Sequence, residues 1–274
     1  MNKEKLLDEN SKHALQSDNV IAITNRHLCS RPFMEQLERV CKLHPHAIVL
    51  REKDMPEAEY LSLARDVIAL CKKYDVQCML HSFINVAMEL EHPYIHLPLP
   101  ILEAYVQKNM SGNISTGMSK STDNYQQFFK VIGTSVHSVE DAIKAEQLGA
   151  TYMTAGHIFA TDCKKGLPPR GLDFLKNVCD AVGIPVYAIG GINIASSDDS
   201  TASDAPPAYD AMPDISVPRL ADVMKCGAAG GCIMSGMMRV GLYYHQVYLI
   251  PLSQVQRTTS RLSQINDLFS SPHL

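Results

Sequence analysis

Short apolar runs recur along the chain and alternate with longer stretches in which apolar residues return every three or four positions. The runs are Val20–Thr24, Ala47–Leu50, Gln77–Leu80, Tyr94–Leu97, Lys130–Gly133, Thr151–Ala155, Val186–Ile189 and Gly231–Met234. Runs that are apolar throughout, rather than alternating, predict strands buried on both faces of a parallel sheet. Between them, Glu57–Tyr74 places Leu61, Ala64, Val67, Ile68 and Cys71 on one helical face. Val139–Leu148 has Ser138 as an N-cap and Gly149 just past its C-terminus. Eight such strands separated by helices predict a single α/β domain, a (β/α)8 or TIM barrel. A doubly wound sheet is the alternative, but no G-x-G-x-x-G follows the first strand.

Three segments fall outside that rhythm. Residues 1–19 form a polar N-terminal extension whose first ten residues lack the apolar stretch of a secretory signal. Lys108–Ser121, rich in Asn, Ser and Gly, reads as a loop before the fifth strand. Ala195–Pro218 is almost entirely Ser, Asp, Ala and Pro with Tyr209 its one aromatic, so it reads as a disordered insertion after strand seven. The barrel is expected over residues 20–250 with 195–218 inserted, and residues 251–274 form a C-terminal tail.

Composition narrows the function classes. The 274 residues are 46% hydrophobic and 20% charged, with 25 Lys plus Arg against 29 Asp plus Glu. A net charge of -4 argues against nucleic acid as partner, and no run approaches a membrane span. The eight cysteines form no C-x-x-C pair and sit mostly in apolar company, as expected of a cytoplasmic chain with free thiols.

In a barrel of this type the chemistry lies at the C-terminal ends of the strands. After the second come Arg51, Glu52, Lys53 and Asp54. His81 and Ser82 follow the third, His96 lies in the fourth, and Ser135 and His137 follow the fifth. Gly156-His157 leads into Thr161-Asp162-Cys163-Lys164-Lys165-Gly166 after the sixth. Gly190-Gly191 follows the seventh strand and Ser235-Gly236 the eighth, the two places where such barrels hold phosphate on bare backbone amides. Histidine exchanges protons near neutral pH, which makes His157 a candidate acid/base, although 11 histidines are present and position alone does not single it out. Glu52 and Asp54 are too few and too isolated to define a magnesium site, and no partner fixed by spacing activates Cys163.

Leu50-Arg51-Glu52-Lys53, Ile132-Gly133-Thr134-Ser135-Val136-His137-Ser138, Ala155-Gly156-His157-Ile158-Phe159 with Thr161–Gly166, and Pro185–Ile192 together resemble the thiamin phosphate synthase/TenI family. The match in order and spacing runs from about Val20 to Val240, apart from the insertion. The resemblance implies work on the thiazole half of thiamin, with a thiazole phosphate as small-molecule substrate. The synthase joins that thiazole to hydroxymethylpyrimidine diphosphate using magnesium, held by an Asp after strand three and another after a His-Leu-Gly-Gln at strand four. Here those stretches read Leu80-His81-Ser82-Phe83 and His96-Leu97-Pro98-Leu99-Pro100.

The TenI branch resembles the sequence better, through Gly156-His157, Thr161-Asp162-Cys163-Lys164-Lys165-Gly166 and Leu97-Pro98; Ala160 departs from members that carry Glu. The implied reaction is the metal- and cofactor-free tautomerisation of a carboxythiazole phosphate. His157 would be the proton carrier. Arg51, Lys53, Ser135, Lys164, Lys165, Gly190, Gly191, Ser235 and Gly236 would bind substrate. Two alternatives stand beside it: the magnesium-dependent synthase, and a barrel that binds a thiazole phosphate for regulation without turnover. Homo-oligomerisation is left open.

Replacing Ala195–Pro218 with a short Gly-Ser link should leave folding intact, because surface loop length costs only about 1 kcal/mol or less. Thermal melting checks this; a drop well beyond about 4–8 °C would contradict it.

Overall fold

The computed structural model of the chain describes residues 19–112, 128–161, 164–192 and 218–239. Eight parallel strands close into a barrel in chain order: β1 (Val20–Ile23), β2 (Ala47–Leu50), β3 (Gln77–His81), β4 (Tyr94–Pro98), β5 (Val131–Val136), β6 (Tyr152–Gly156), β7 (Val186–Ile189) and β8 (Gly230–Ile233). Val20 pairs with Gly231 to close the ring, which removes every free edge. Around it lie α1 (Phe33–Lys42), α2 (Glu57–Lys73), α3 (Ile84–Glu89), α4 (Leu99–Gly112), α5 (Val139–Gln147), α6 (Gly171–Ala181), α7 (Pro218–Lys225) and the single turn α8 (Ser235–Met238). The (β/α)8 reading of the sequence is therefore correct. The expected N-terminal extension up to residue 18, the insertion but for Pro218, which opens α7, the tail and Cys163 lie outside the described residues.

Helix formation follows the apolar spacing. In α2 the fully buried side chains are Tyr60, Ala64, Val67 and Cys71, one per turn, with acidic Glu57 and Glu59 in the first turn and Lys72 and Lys73 in the last. Ser138 caps α5 by accepting the Asp141 amide at 3.0 Å, as its sequence predicts. One expectation fails. Lys108 to Gly112 is helix, not loop, because the α4 stripe of Leu102, Tyr105 and Val106 carries the turns onward; the rest of that expected loop, 113–121, lies outside the described residues. Asn109, a poor helix residue, is accommodated by donating its side-chain amide to the Tyr105 carbonyl at 2.9 Å.

The core has two compartments. The large one lies between strands and helices. A smaller one fills the lumen, with Ile21, Ile23, Val49, Met79, Tyr152 and Tyr187 among its buried members. The period-2 alternation that sends Met153 and Ala155 outward sends Tyr152 and Thr154 inward. Tyr152 fits only because its neighbour across the strand pair is glycine: a Cβ on Gly133 would lie 2.2 Å from the Tyr152 ring. Gly133→Ala is expected to lower stability by about 1–3 kcal/mol, the usual range for overpacking a core, as read by urea denaturation.

Candidate active site

Two carboxylates stand at the end of β2, and both are tied up by Arg26, which opens a single 3-10 turn (Arg26–Leu28) after β1. Glu52 is 2% exposed. It accepts the Thr24 hydroxyl at 2.7 Å, the Arg26 amide at 3.1 Å and the Arg26 guanidinium at 3.0 Å. Thr24 in turn accepts the Arg51 amide at 2.8 Å, so the same hydroxyl fixes the backbone that bears Arg51. Asp54 takes two guanidinium bonds from Arg26 at 2.8 and 2.6 Å and one from His27 at 2.9 Å. The Arg26 guanidinium, then His27, hold the Asp54 carboxyl well below the usual carboxylate range. Both are structural: Glu52 is a buried charge satisfied by its clamp, and Asp54 is the exposed outer partner of the same guanidinium.

The cations are brought together. Partial desolvation, then the charges of Arg51 and Lys164, lower the Lys53 pKa, which places the β6–α6 loop's Lys164 within electrostatic reach of the β2 end, across the mouth. Lys165 is exposed beside it, and no described contact ties it to the other cations. Beneath them lie two buried imidazoles, His81 and His96, stacked at 5.6 Å. Burial, and after it the neighbouring positive groups including Arg51 and Lys53, pushes His81 down to about 2 and His96 to about 3. Both are neutral at physiological pH. His81 is anchored by the Ser82 hydroxyl at 2.7 Å, and its amide donates to the Tyr60 hydroxyl at 3.0 Å. His96 touches the Tyr152 hydroxyl at 2.9 Å and the Ser135 hydroxyl at 2.9 Å, and Thr154 reaches Ser135 at 3.0 Å. Ser135 is thus the last inward side chain of β5, not a residue beyond it.

His157 is half-buried on the loop after β6 and donates Nε2–H to the Leu167 carbonyl at 3.4 Å. That loop is seamed to the turn after β7. The Ile158 amide donates to Ile189 O at 2.9 Å and the Phe159 amide to Gly190 O at 3.1 Å. Gly190 and Gly191 have φ of +98° and +70°. A Cβ on Gly190 would lie 2.4 Å from the His157 Cβ, and one on Gly191 2.5 Å from the Ala160 carbonyl. Ser235 and Gly236 open α8 directly after β8, beside this turn in the sheet order.

Sequence reasoning did not single out Arg26, Tyr152, Thr154 and Arg219. Arg219, at the start of α7, donates to Gly191 O and lies 4.7 Å over the Phe159 ring, so it binds both loops of the seam. Strict alternation along β6 was the signal available for Tyr152 and Thr154; the spacing of Arg219, beyond a long polar segment, gave none.

Among the described residues no three His, Cys, Asp or Glu side chains converge as a metal site, and no helix is long and apolar enough to cross a membrane. A family model described as thiamine monophosphate synthase matches residues 20–237. A provisionally named thiamine-phosphate synthase 2 of Aquifex aeolicus is 35% identical over 62% of this chain and 83% of its own. A thiamine-phosphate synthase of Caldanaerobacter subterraneus subsp. tengcongensis is 30% identical over 63% of this chain and 74% of its own. Among solved structures, a thiamine phosphate pyrophosphorylase from Pyrococcus furiosus superposes with a TM-score of 0.56 at 25% identity, over 81% of this chain and 89% of that one.

The neutral histidines give a stability signature. Their folded pKa values lie below the unfolded value near 6.5, so on acidification the unfolded chain takes up protons that the folded chain refuses. Their contribution to stability should be flat above about pH 7.5 and fall below about 6.5, by up to about 1.4 kcal/mol per pH unit for each imidazole. Asp54 acts only at lower pH, since its contribution is lost below the ordinary carboxylate range. Urea unfolding at pH 8, 6.5 and 5.5 measures this, His81→Asn should flatten the slope, and pH-independent stability would refute it.

Proposed function

Because the chain belongs to the thiamine monophosphate synthase family, we propose that it works on a thiazole phosphate, and that its reaction is the tautomerisation of a carboxythiazole phosphate to the aromatic ring. One observation carries the choice of reaction: the segments that follow His81 and His96, Ser82-Phe83 and Leu97-Pro98-Leu99-Pro100, hold no carboxylate where the synthase would need one, and the two histidines themselves are buried and neutral. A magnesium ion takes oxygen ligands in octahedral geometry. Two imidazoles lying in the field of Arg51 and Lys53 do not fit it, and the two carboxylates described at the end of β2, Glu52 and Asp54, are consumed by Arg26.

The tautomerisation asks for less. Arg51, Lys53 and Lys164 give the anionic substrate charge-assisted contacts, and the Gly190–Gly191 turn offers its phosphate a close backbone approach. In its contact with Leu167, His157 uses Nε2 as donor, which leaves the lone pair on Nδ1. That nitrogen takes the ring proton. The imidazolium then returns a proton to the exocyclic carbon, and aromatisation makes the second transfer downhill. No net charge leaves the site, so no counter-ion is needed at the β3–β4 end.

The transferase reading has its own support, the synthase names that both curated relatives carry. Ligand binding without turnover is the third. His157→Asn should lower turnover of carboxythiazole phosphate about 10²- to 10⁴-fold. Arg51→Ala should act mainly on KM, whereas Gly191→Ala, whose Cβ would press on the Ala160 carbonyl of the His157 loop, should lower kcat as well. In D2O, deuterium should enter the product at the former exocyclic carbon, and EDTA should have no effect. Formation of thiamin phosphate from both precursors with magnesium would move the assignment to the transferase. Tight binding with no turnover in either assay would move it to the regulatory barrel.

A further inference from the structure

The polar groups in the lumen below the cations have a direction. Tyr152 is 7% exposed and Thr154 1%. Each has a hydroxyl proton that has left water and needs an acceptor. Burial raises Tyr152 well above the ordinary phenol value, so the proton stays on it. Among the described residues its hydroxyl partner is His96 Nδ1, at 2.9 Å. If Tyr152 donates there, Nδ1 holds a lone pair and the single proton of the neutral ring sits on Nε2. Nε2–H then donates to Ser135 Oγ at 2.9 Å. Thr154 has the same need and the same neighbour, Ser135 Oγ, at 3.0 Å.

A serine oxygen has two lone pairs. With His96 and Thr154 both donating to it, Ser135 is full as an acceptor and its own proton can only be given away. The wall side of the hydroxyl is occupied by the two donors, and Ser135 is half-buried at the C-terminal end of β5, where solvent and ligand arrive. The reverse polarity would have Ser135 donate to His96 and His96 to Tyr152. That leaves the buried phenol proton stranded, and if Ser135 instead donates to Thr154, the threonine proton is stranded in its place.

We propose that Tyr152 and His96, with Thr154, are positioning residues that fix Ser135 as a one-way hydrogen-bond donor to an anionic oxygen of the ligand. Under the reaction proposed above, on which this identification of the acceptor rests, that oxygen belongs to the substrate carboxylate, held among Arg51 and Lys53. Hydroxyls ordinarily rotate between donor and acceptor roles; this one rejects a ligand that presents a donor at the same place. His96 is neutral far below physiological pH, so the polarity holds across the working range.

The test reads the tautomer first, without substrate. Histidine labelled with nitrogen-15 should show His96 as the Nε2–H form at pH 7 in the wild type. Tyr152→Phe, which removes only the oxygen, should abolish that preference. With carboxythiazole phosphate, Ser135→Ala and Tyr152→Phe should each lower kcat/KM about tenfold. The double variant should be no worse than Ser135→Ala, since Tyr152 acts through the serine. Thr154→Val should give a smaller loss in the same direction, and it serves if Tyr152→Phe does not fold. An Nδ1–H tautomer in the wild type, or a double variant near a hundredfold, would overturn the proposal. Nε2–H with no turnover would leave the relay standing and overturn the assigned reaction instead; turnover with Nδ1–H would do the opposite.

Discussion

An eight-stranded barrel closes on a lumen too narrow for bulk water, and whatever polar side chain the alternation of β6 turns inward must find its partner there. Tyr152 and Thr154 are turned inward by the same alternation that sends Met153 and Ala155 to the helices. Their hydroxyls therefore recruit His96 and Ser135, from the two preceding strands, into one chain of contacts. Gly133 gives up a side chain so that the tyrosine ring can cross to its partner. The rest of the mouth is built on this layer, because the imidazole it immobilises forms the ceiling of the lumen and the floor of the ligand site.

Electrostatics above that layer are sorted by strand. Arg26 draws Glu52 and Asp54 back toward β1, so the negative charge near β2 is spent on folding. Among the described residues no ion pair ties Arg51, Lys53 or Lys164 to a carboxylate, and the imidazoles below them are kept neutral by burial. Among the described residues, an arrangement of this kind favours an anionic ligand over a bare dication, since the cations stand over neutral imidazoles.

Much of this was legible in the sequence because it depends on local period. Eight uniformly apolar runs with helices between them give a parallel barrel, and Ser138 before Val139 gives a cap. The glycines after β7 announce a tight approach of backbone. What was hidden depends on pairing across strands. Tyr152 looks like one more apolar strand residue until β5 and β6 are in register and Gly133 is seen to face it. Arg26 and Glu52 are 26 positions apart and nothing in their spacing links them. Lys108 to Gly112 was misjudged because Asn, Ser and Gly signal a loop by composition, whereas the stripe beginning at Leu102 had already committed the helix.

The seam between the β6 loop and the β7 turn sets a limit on how the two halves of the site can vary. His157 and Gly190 are so close that no side chain fits between them, and Phe159 and Gly190 share a backbone hydrogen bond. Under the proposed reaction, the anchor for the substrate's far end and the group that meets its ring are thus parts of one mechanical piece. Free energy gained by seating the phosphate is available to hold the imidazole in line, which is the use of remote binding energy that raises turnover as well as affinity. A ligand stripped of its phosphate would lose speed as well as grip.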